Sequence, residues 1–236
     1  MSTESKFFIG IGVITLVVIA SGAVLFSKQS SSQGQTQGAT QSVNQSDLIA
    51  NAPHTVGSPT APVIVVEFAD LQCPACKAAQ PIVKQVLEKY GQDVYFVWRH
   101  YPLSSHKNSK IAANSTEAAA GQGKFFEFVD KVYTNQGEWE NSGEADEIFE
   151  KYASEIGLDL EKFKADLNTD NQSIESDFAL GNKFSVTSTP TFFINGQKYS
   201  GVVQLDQFEQ IINATKGKTG EPSTLEQPGQ LPAENQ

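Results

Sequence analysis

The sequence predicts an α/β fold with an inserted helical subdomain, preceded by a single N-terminal transmembrane helix. Three observations carry that prediction. The chain of 236 residues holds only two cysteines, placed together as Cys73-Pro74-Ala75-Cys76 between a strand-like run and a helix-like one. A second apolar strand and a proline-opened strand, Thr189-Pro190-Thr191-Phe192-Phe193-Ile194-Asn195-Gly196, lie far apart, with helix-period sequence between them. Near the start, the segment from Phe7 to Phe26 carries no charged residue.

That segment, at about 1.5 Å per residue, is long enough to cross a hydrocarbon core of about 30 Å. A cleavable export signal has a shorter apolar region of about 7–15 residues, so an uncleaved anchor is expected over 7–26, behind a short cytoplasmic segment 1–6. Small residues at Ser21 and Ala23 leave cleavage, and a secreted form, as the alternative. No cysteine stands near the segment, which excludes bacterial lipid attachment. Lys6 is offset by Glu4 and Lys28 stands on the other side, so flanking charge does not orient the span. Residues 27–52 are Ser/Gln/Gly/Thr-rich and read as a flexible tether. The tail 217–236, with Pro222, Pro228 and Pro232, reads as disordered. Residues 53–216 remain as one domain of ordinary size.

Within it, Val63-Ile64-Val65-Val66-Glu67-Phe68 is β-branched and too short for a normal helix, hence a buried strand. Ile82, Val83, Val86, Leu87 and Tyr90 then recur at helical spacing, which starts a helix at or near Cys73. Val94-Tyr95-Phe96-Val97-Trp98 is a second strand. Between about 104 and 186 the pattern turns helical: an Ala-rich stretch around Ile111–Ala120, then Phe125, Val129, Val132 and Tyr133, then Phe149 and Tyr152, then Phe163, Leu167, Ile174 and Phe178. The aromatic residues are read as core. Pro190 opens a strand because it cannot donate to a ladder, Asn195-Gly196 is a hairpin turn into Gln197–Gly201, and Leu205, Phe208, Ile211 and Ile212 mark a last helix from Leu205 to about Thr215.

A cysteine at a helix start faces unpaired N–H groups and the positive end of the helix dipole, so the Cys73 pKa is expected to fall. The thiolate is the species that attacks a disulfide, and a low-pKa thiol is the better leaving group. Cys73 is therefore the expected nucleophile and Cys76, one turn further in, the resolving thiol. Pro74 suits the first helical turn, and Ala75 adds neither charge nor a side-chain donor, so backbone and dipole must tune the pair. Glu67, the only ionisable residue of its strand, alternates onto the face of Val63 and Val65, where a buried carboxylate with a raised pKa can relay a proton to or from Cys76. The bland reading is an outward-facing Glu. A zinc site built from both cysteines with His100 and His106 fails on spacing, and a disulfide across two residues closes too small a loop to serve as a staple.

Strand, C-P-x-C at a helix start, long insertion, then T-P-T-F-F-I-N-G with a hairpin and a final helix resembles the DsbA-like thiol:disulfide oxidoreductases of the thioredoxin superfamily, over roughly Gly57 to Lys216. The resemblance implies a thioredoxin-like fold, Cys73 as nucleophile and Cys76 as resolving cysteine. It also implies a cis-proline at Pro190, preceded by Thr189, that holds the substrate chain, and a buried acid at Glu67. Pro81 matches the helix-kinking proline of thioredoxins. Ala75 departs from strongly oxidising relatives, which often carry histidine there, and leaves the redox direction open.

A formal charge of −10 argues against nucleic acid, since no basic stripe exists to neutralise phosphates. No glycine-rich phosphate loop is found, no metal site is expected, and His54, His100 and His106 read as structural or surface residues. The expected activity is disulfide introduction into exported polypeptides with free thiols, needing no cofactor beyond the redox-active Cys73–Cys76 disulfide. A stable oxidising dithiol belongs outside the reducing cytosol, so the domain is expected on the outer side of the cell membrane, periplasmic or extracellular. The resemblance implies reoxidation by a quinone-linked membrane thiol oxidase. The alternatives are a reductase or isomerase kept reduced by a membrane electron donor, and a non-catalytic module that binds extended polypeptides around Pro190.

Overall fold

The computed structural model describes residues 43–169 and 171–219. The expected span 7–26, most of the tether and the tail from 220 onward lie outside them. Among the described residues no helix is long and apolar enough to cross a membrane.

Five strands form one sheet in the order β1-β3-β2-β4-β5. They are β1 (Thr55–Val56), β2 (Val63–Ala69), β3 (Val94–His100), β4 (Thr191–Ile194) and β5 (Gln197–Ser200). Central β2 runs parallel to β3 and antiparallel to β4. Both faces of β2 are covered, so its sequence is apolar on both faces, Glu67 excepted, rather than alternating. Val63, Val65 and Ala69 share a core with helix α2 (Pro74–Tyr90), helix α9 (Leu205–Thr219) and the helical insertion, while Val66 and Phe68 pack on the opposite side with Leu48, Tyr101 and Phe193. β4 and β5 join through Asn195 (φ 48°) and Gly196 (φ 80°), the doubly positive backbone that a two-residue hairpin turn requires. Helix α9 runs on to Thr219, further than the Thr215 expected from its apolar spacing.

The insertion between β3 and β4 comprises α3 (Ser109–Ala120), α4 (Phe125–Thr134), the short α5 (Gln136–Trp139), α6 (Ala145–Glu155), α7 (Leu160–Leu167) and α8 (Gln172–Lys183). Alanines 112, 113, 118 and 119 of α3 are buried, and their small side chains let α4, α6 and α7 close around it. Phe128, Trp139, Phe149, Tyr152 and Phe163 fill the space between these helices.

The packed domain begins by Val43, not at residue 53. Helix α1 (Gln45–Ile49) is capped by Asn44 and buries Leu48 completely. Arg99 of β3 donates to the carbonyls of Leu48 and Ala50 and pairs with Asp177 of α8 at 2.7 Å. Leu48, with Val43, Ile49 and Ala52 packed beside it, and a guanidinium that needs carbonyl acceptors outweigh the polar composition that suggested a tether there.

Candidate active site

Strand β2 ends at Ala69 and α2 begins at Pro74, so the intervening turn presents Cys73 as the N-cap of α2. Cys73 keeps extended backbone (φ −72°, ψ 121°) and Pro74 takes the first helical position, where no N–H is needed. Both cysteines are free thiols, Cys73 7% exposed and Cys76 1%. The Cys73 Sγ lies 3.3 Å from the Thr189 carbonyl oxygen, and the Thr189–Pro190 bond is cis. Cys73, Cys76, Thr189 and Pro190 therefore meet at one end of the sheet, with Pro74 exposed and Ala75 half-buried beside them.

The Cys73 thiol is lowered from 9.0 to about 5. A hydrogen bond from Cys76 is the largest cause; burial opposes it, and the Thr189 side chain with the backbone N–H groups of Cys76 and Ala75 add to the lowering. As a thiol, Cys73 donates to the Thr189 carbonyl while the buried Thr189 Oγ1 has no hydrogen-bond partner. Ionisation gives that hydroxyl an acceptor. Cys76 moves the other way, well above 9.0, through burial, then its bond to Cys73, then the charges of Glu67 and Cys73. One sulfur is thus a nucleophile at neutral pH and the other a proton-holding thiol.

Glu67 is 1% exposed and shares its side of β2 with Val63 and Val65, whose cluster contains both cysteines. Its Oε2 has no hydrogen-bond partner. Burial first, and the Cys73 thiolate second, push its carboxyl from 4.5 up to about 8. A mostly protonated acid beside the dithiol can hand a proton to a departing sulfur and take it back.

The structure adds groups that the sequence pattern does not single out. Tyr133 of α4 is fully buried, donates to the Asp70 carbonyl at 3.3 Å, and has its hydroxyl pushed well above 10.0 by burial, then by the charges of Cys76 and Glu67. In sequence it is one more aromatic of an apolar helical stripe. Asp70 is a buried carboxylate in the turn before Cys73. Its only sequence signal is an acidic residue between an apolar strand and the motif.

His100 and His106 serve other partners than the cysteines. His106 Nδ1 lies 2.7 Å from Asp70 Oδ2. His54, His100 and Glu117 bring ligand-type atoms within 4.8 Å of one another, a donor set that suits a divalent cation such as zinc. Trp98 Nε1–H donates to His100 Nδ1 at 3.4 Å, which keeps the His100 proton on Nε2, facing Glu117 Oε1 at 3.0 Å. His54 Nε2 approaches the same oxygen at 2.7 Å while its ring stacks on Phe125. This is a hydrogen-bonded tie between β3, α3 and the segment before β1.

The family model described as Thioredoxin matches residues 50–214. Among solved structures, alpha-DsbA1 from Wolbachia pipientis is 26% identical with a TM-score of 0.64, covering 72% of this chain and 93% of that one. Oxidised BdbD from Bacillus subtilis is 25% identical with a TM-score of 0.61, covering 70% and 92%. A thioredoxin-like oxidoreductase from Silicibacter pomeroyi is 25% identical with a TM-score of 0.62, covering 74% and 99%. Curated relatives carry another name: Na(+)/H(+) antiporter NhaA 1 of Mycobacterium sp. (strain KMS) is 37% identical over 63% of this chain, and NhaA of Herminiimonas arsenicoxydans 30% identical over 89%. The chain spans only 24% and 33% of their lengths. A thioredoxin framework with a helical insertion, a buried acid and a C-P-x-C dithiol against a cis-proline, matched over most of its described length, makes this chain a DsbA-like member of the thioredoxin superfamily.

Proposed function

We propose that the protein is a membrane-tethered thiol oxidase acting outside the cytoplasm, which introduces disulfide bonds into exported polypeptides through Cys73 and Cys76. The observation that carries the reading is the Cys73 thiol at about 5. Groups that favour the thiolate stabilise the reduced enzyme alone, because the disulfide carries no charge, and a stabilised reduced form makes a strong oxidant.

In the cycle a substrate thiolate attacks Cys73 Sγ of the oxidised pair, the S–S bond breaks, and Cys76 departs with the bonding electrons and takes a proton from Glu67. A second substrate thiolate attacks the substrate sulfur of the mixed disulfide, and Cys73 leaves as the thiolate. Two electrons pass from the substrate dithiol to the enzyme. A quinone-linked membrane thiol oxidase is the proposed partner that withdraws them, and no cofactor beyond the cysteine pair takes part. The charge-free run at 7–26 supports tethering.

The test is the reduction potential of the full-length chain, equilibrated against glutathione buffers and read by alkylation of both cysteines. A value of about −180 mV or higher is expected. One near about −270 mV overturns the oxidase in favour of a reductase, and a pair that does not cycle reversibly overturns enzymatic exchange altogether.

A further inference from the structure

The turn that delivers Cys73 is bonded to the helical insertion residue by residue. The Asp70 side chain is 0% exposed and its carboxylate has four polar partners. Oδ1 accepts from the Gln72 N–H at 2.8 Å and the Ser109 hydroxyl at 2.6 Å; Oδ2 accepts from the Leu103 N–H at 2.9 Å and faces His106 Nδ1 at 2.7 Å. The Asp70 carbonyl accepts from the Cys73 N–H at 3.0 Å and from the Tyr133 hydroxyl. Next along the chain, the Leu71 carbonyl accepts from Gln136 Nε2 at 2.9 Å. The Gln72 side chain then accepts from the Asn108 N–H at 2.7 Å and donates to the Glu140 carbonyl at 2.8 Å. Between Ala69 and Cys73 no residue lacks such a bond.

Burying a carboxylate is expensive unless its acceptor sites are filled, and here each oxygen has two partners. So complete a network fixes geometry more tightly than apolar packing does. Cys73 needs that: its thiolate is served by N–H groups at the mouth of α2 and by Thr189, and a turn free to shift by a fraction of an ångström would take the sulfur off them.

We propose that Asp70 is a positioning residue of the exchange reaction: its carboxylate locks the turn at 70–72 to the insertion and so holds Cys73 between the start of α2 and Thr189. The inference rests on the exchange chemistry proposed above and assigns the helical insertion a part in it. The groups that face Cys73 are Cys76 from α2, Glu67 from β2, Tyr133 from α4 and Thr189 from the loop before β4, and the clamp acts by keeping their distances short.

The test is Asp70→Asn in the full-length chain, which turns one oxygen into an NH2 group facing donors. Gln136→Met, which cuts the Leu71 bond while conserving bulk, is made in parallel. Thermal unfolding reports folding, and the ultraviolet absorbance of the Cys73 thiolate is followed against pH. Both variants are expected to stay folded and to raise the thiolate midpoint, Asp70→Asn by about one pH unit, a tenfold loss of thiolate in acid. Folded variants that lose thermal stability while the midpoint stays put overturn the proposal and leave Asp70 a structural residue. If Asp70→Asn does not fold, Gln136→Met decides in the same way. A parent midpoint at the ordinary thiol value also overturns it, since there is no lowered thiol to hold. A parent with a low midpoint that transfers no disulfide to a reduced, unfolded protein overturns the functional reading alone.

Discussion

Glu67→Gln removes the proton from the neighbourhood of the dithiol while keeping the shape of the side chain. The two ionisations of the site are ordered: Cys73 titrates at about 5 and Glu67 at about 8. At the Cys73 midpoint Glu67 is still protonated and carries no charge, so the variant is expected to leave that midpoint where it is. In the reduced enzyme at pH 7, one unit below about 8, protonated and ionised Glu67 stand at about ten to one, and in the oxidised enzyme burial, the larger of the two causes, still holds the carboxyl up. The parent therefore has its acid loaded when Cys76 must depart, and the variant has none. General acid–base assistance contributes about 10²–10⁴-fold, and a buried sulfur leaving as an unprotonated anion belongs at least at the lower end, a loss of about 10²-fold. In the oxidised enzyme, from which Cys76 departs, Cys73 bears no charge, so the carboxyl there titrates below about 8, held up by burial alone. The assay is quenched-flow transfer from the oxidised enzyme to a dithiol peptide across pH, with trapped thiols counted by mass. The parent rate constant, expressed per peptide thiolate, should fall as Glu67 deprotonates, and the variant should lack that limb. A variant with the parent's rate and pH limb, or a Cys73 midpoint displaced by a full unit, would refute the relay.

Thr189→Val removes the hydroxyl that serves the thiolate but not the carbonyl that serves the thiol. A hydrogen bond to a charged group contributes about 1.5–3 kcal/mol, so the Cys73 midpoint should rise by about one to two pH units, read by thiolate absorbance; no rise would show that the hydroxyl does not engage the sulfur. Glu117→Ala strands two buried imidazoles and should destabilise the fold by about 3–5 kcal/mol in denaturant unfolding near neutrality. Burial raises the Glu117 carboxyl, but bonds from His100 and His54 override it and hold it well below 4.5. Its contribution is therefore complete above about 4.5 and is lost as pH falls toward the folded-state value, so parent and variant should converge in strong acid.

The fold was legible where chemistry and burial act on neighbours in sequence. β2 declared itself by β-branched residues on both faces, α2 by its apolar spacing and Pro74, the hairpin by Asn195-Gly196, and the dithiol by two cysteines one turn apart. Glu67 could be assigned to a face from strand alternation, yet the size of its perturbation depends on burial that no local pattern reports. The linker boundary failed for a related reason, because Leu48 and the few apolar residues near it, Val43, Ile49 and Ala52, find their partners in β2 and β3, far along the chain. Asp70 marks the limit. Its partners Leu103, His106 and Ser109 stand 33, 36 and 39 positions away, and each is unremarkable where it occurs. A helical insertion announces itself by periodicity, but its contact with chemistry runs through single polar atoms brought together by the finished fold. Substitutions in the insertion should therefore divide by what they touch: those that loosen its core lower stability alone, while those that cut a bond to the turn before Cys73 also move the thiolate.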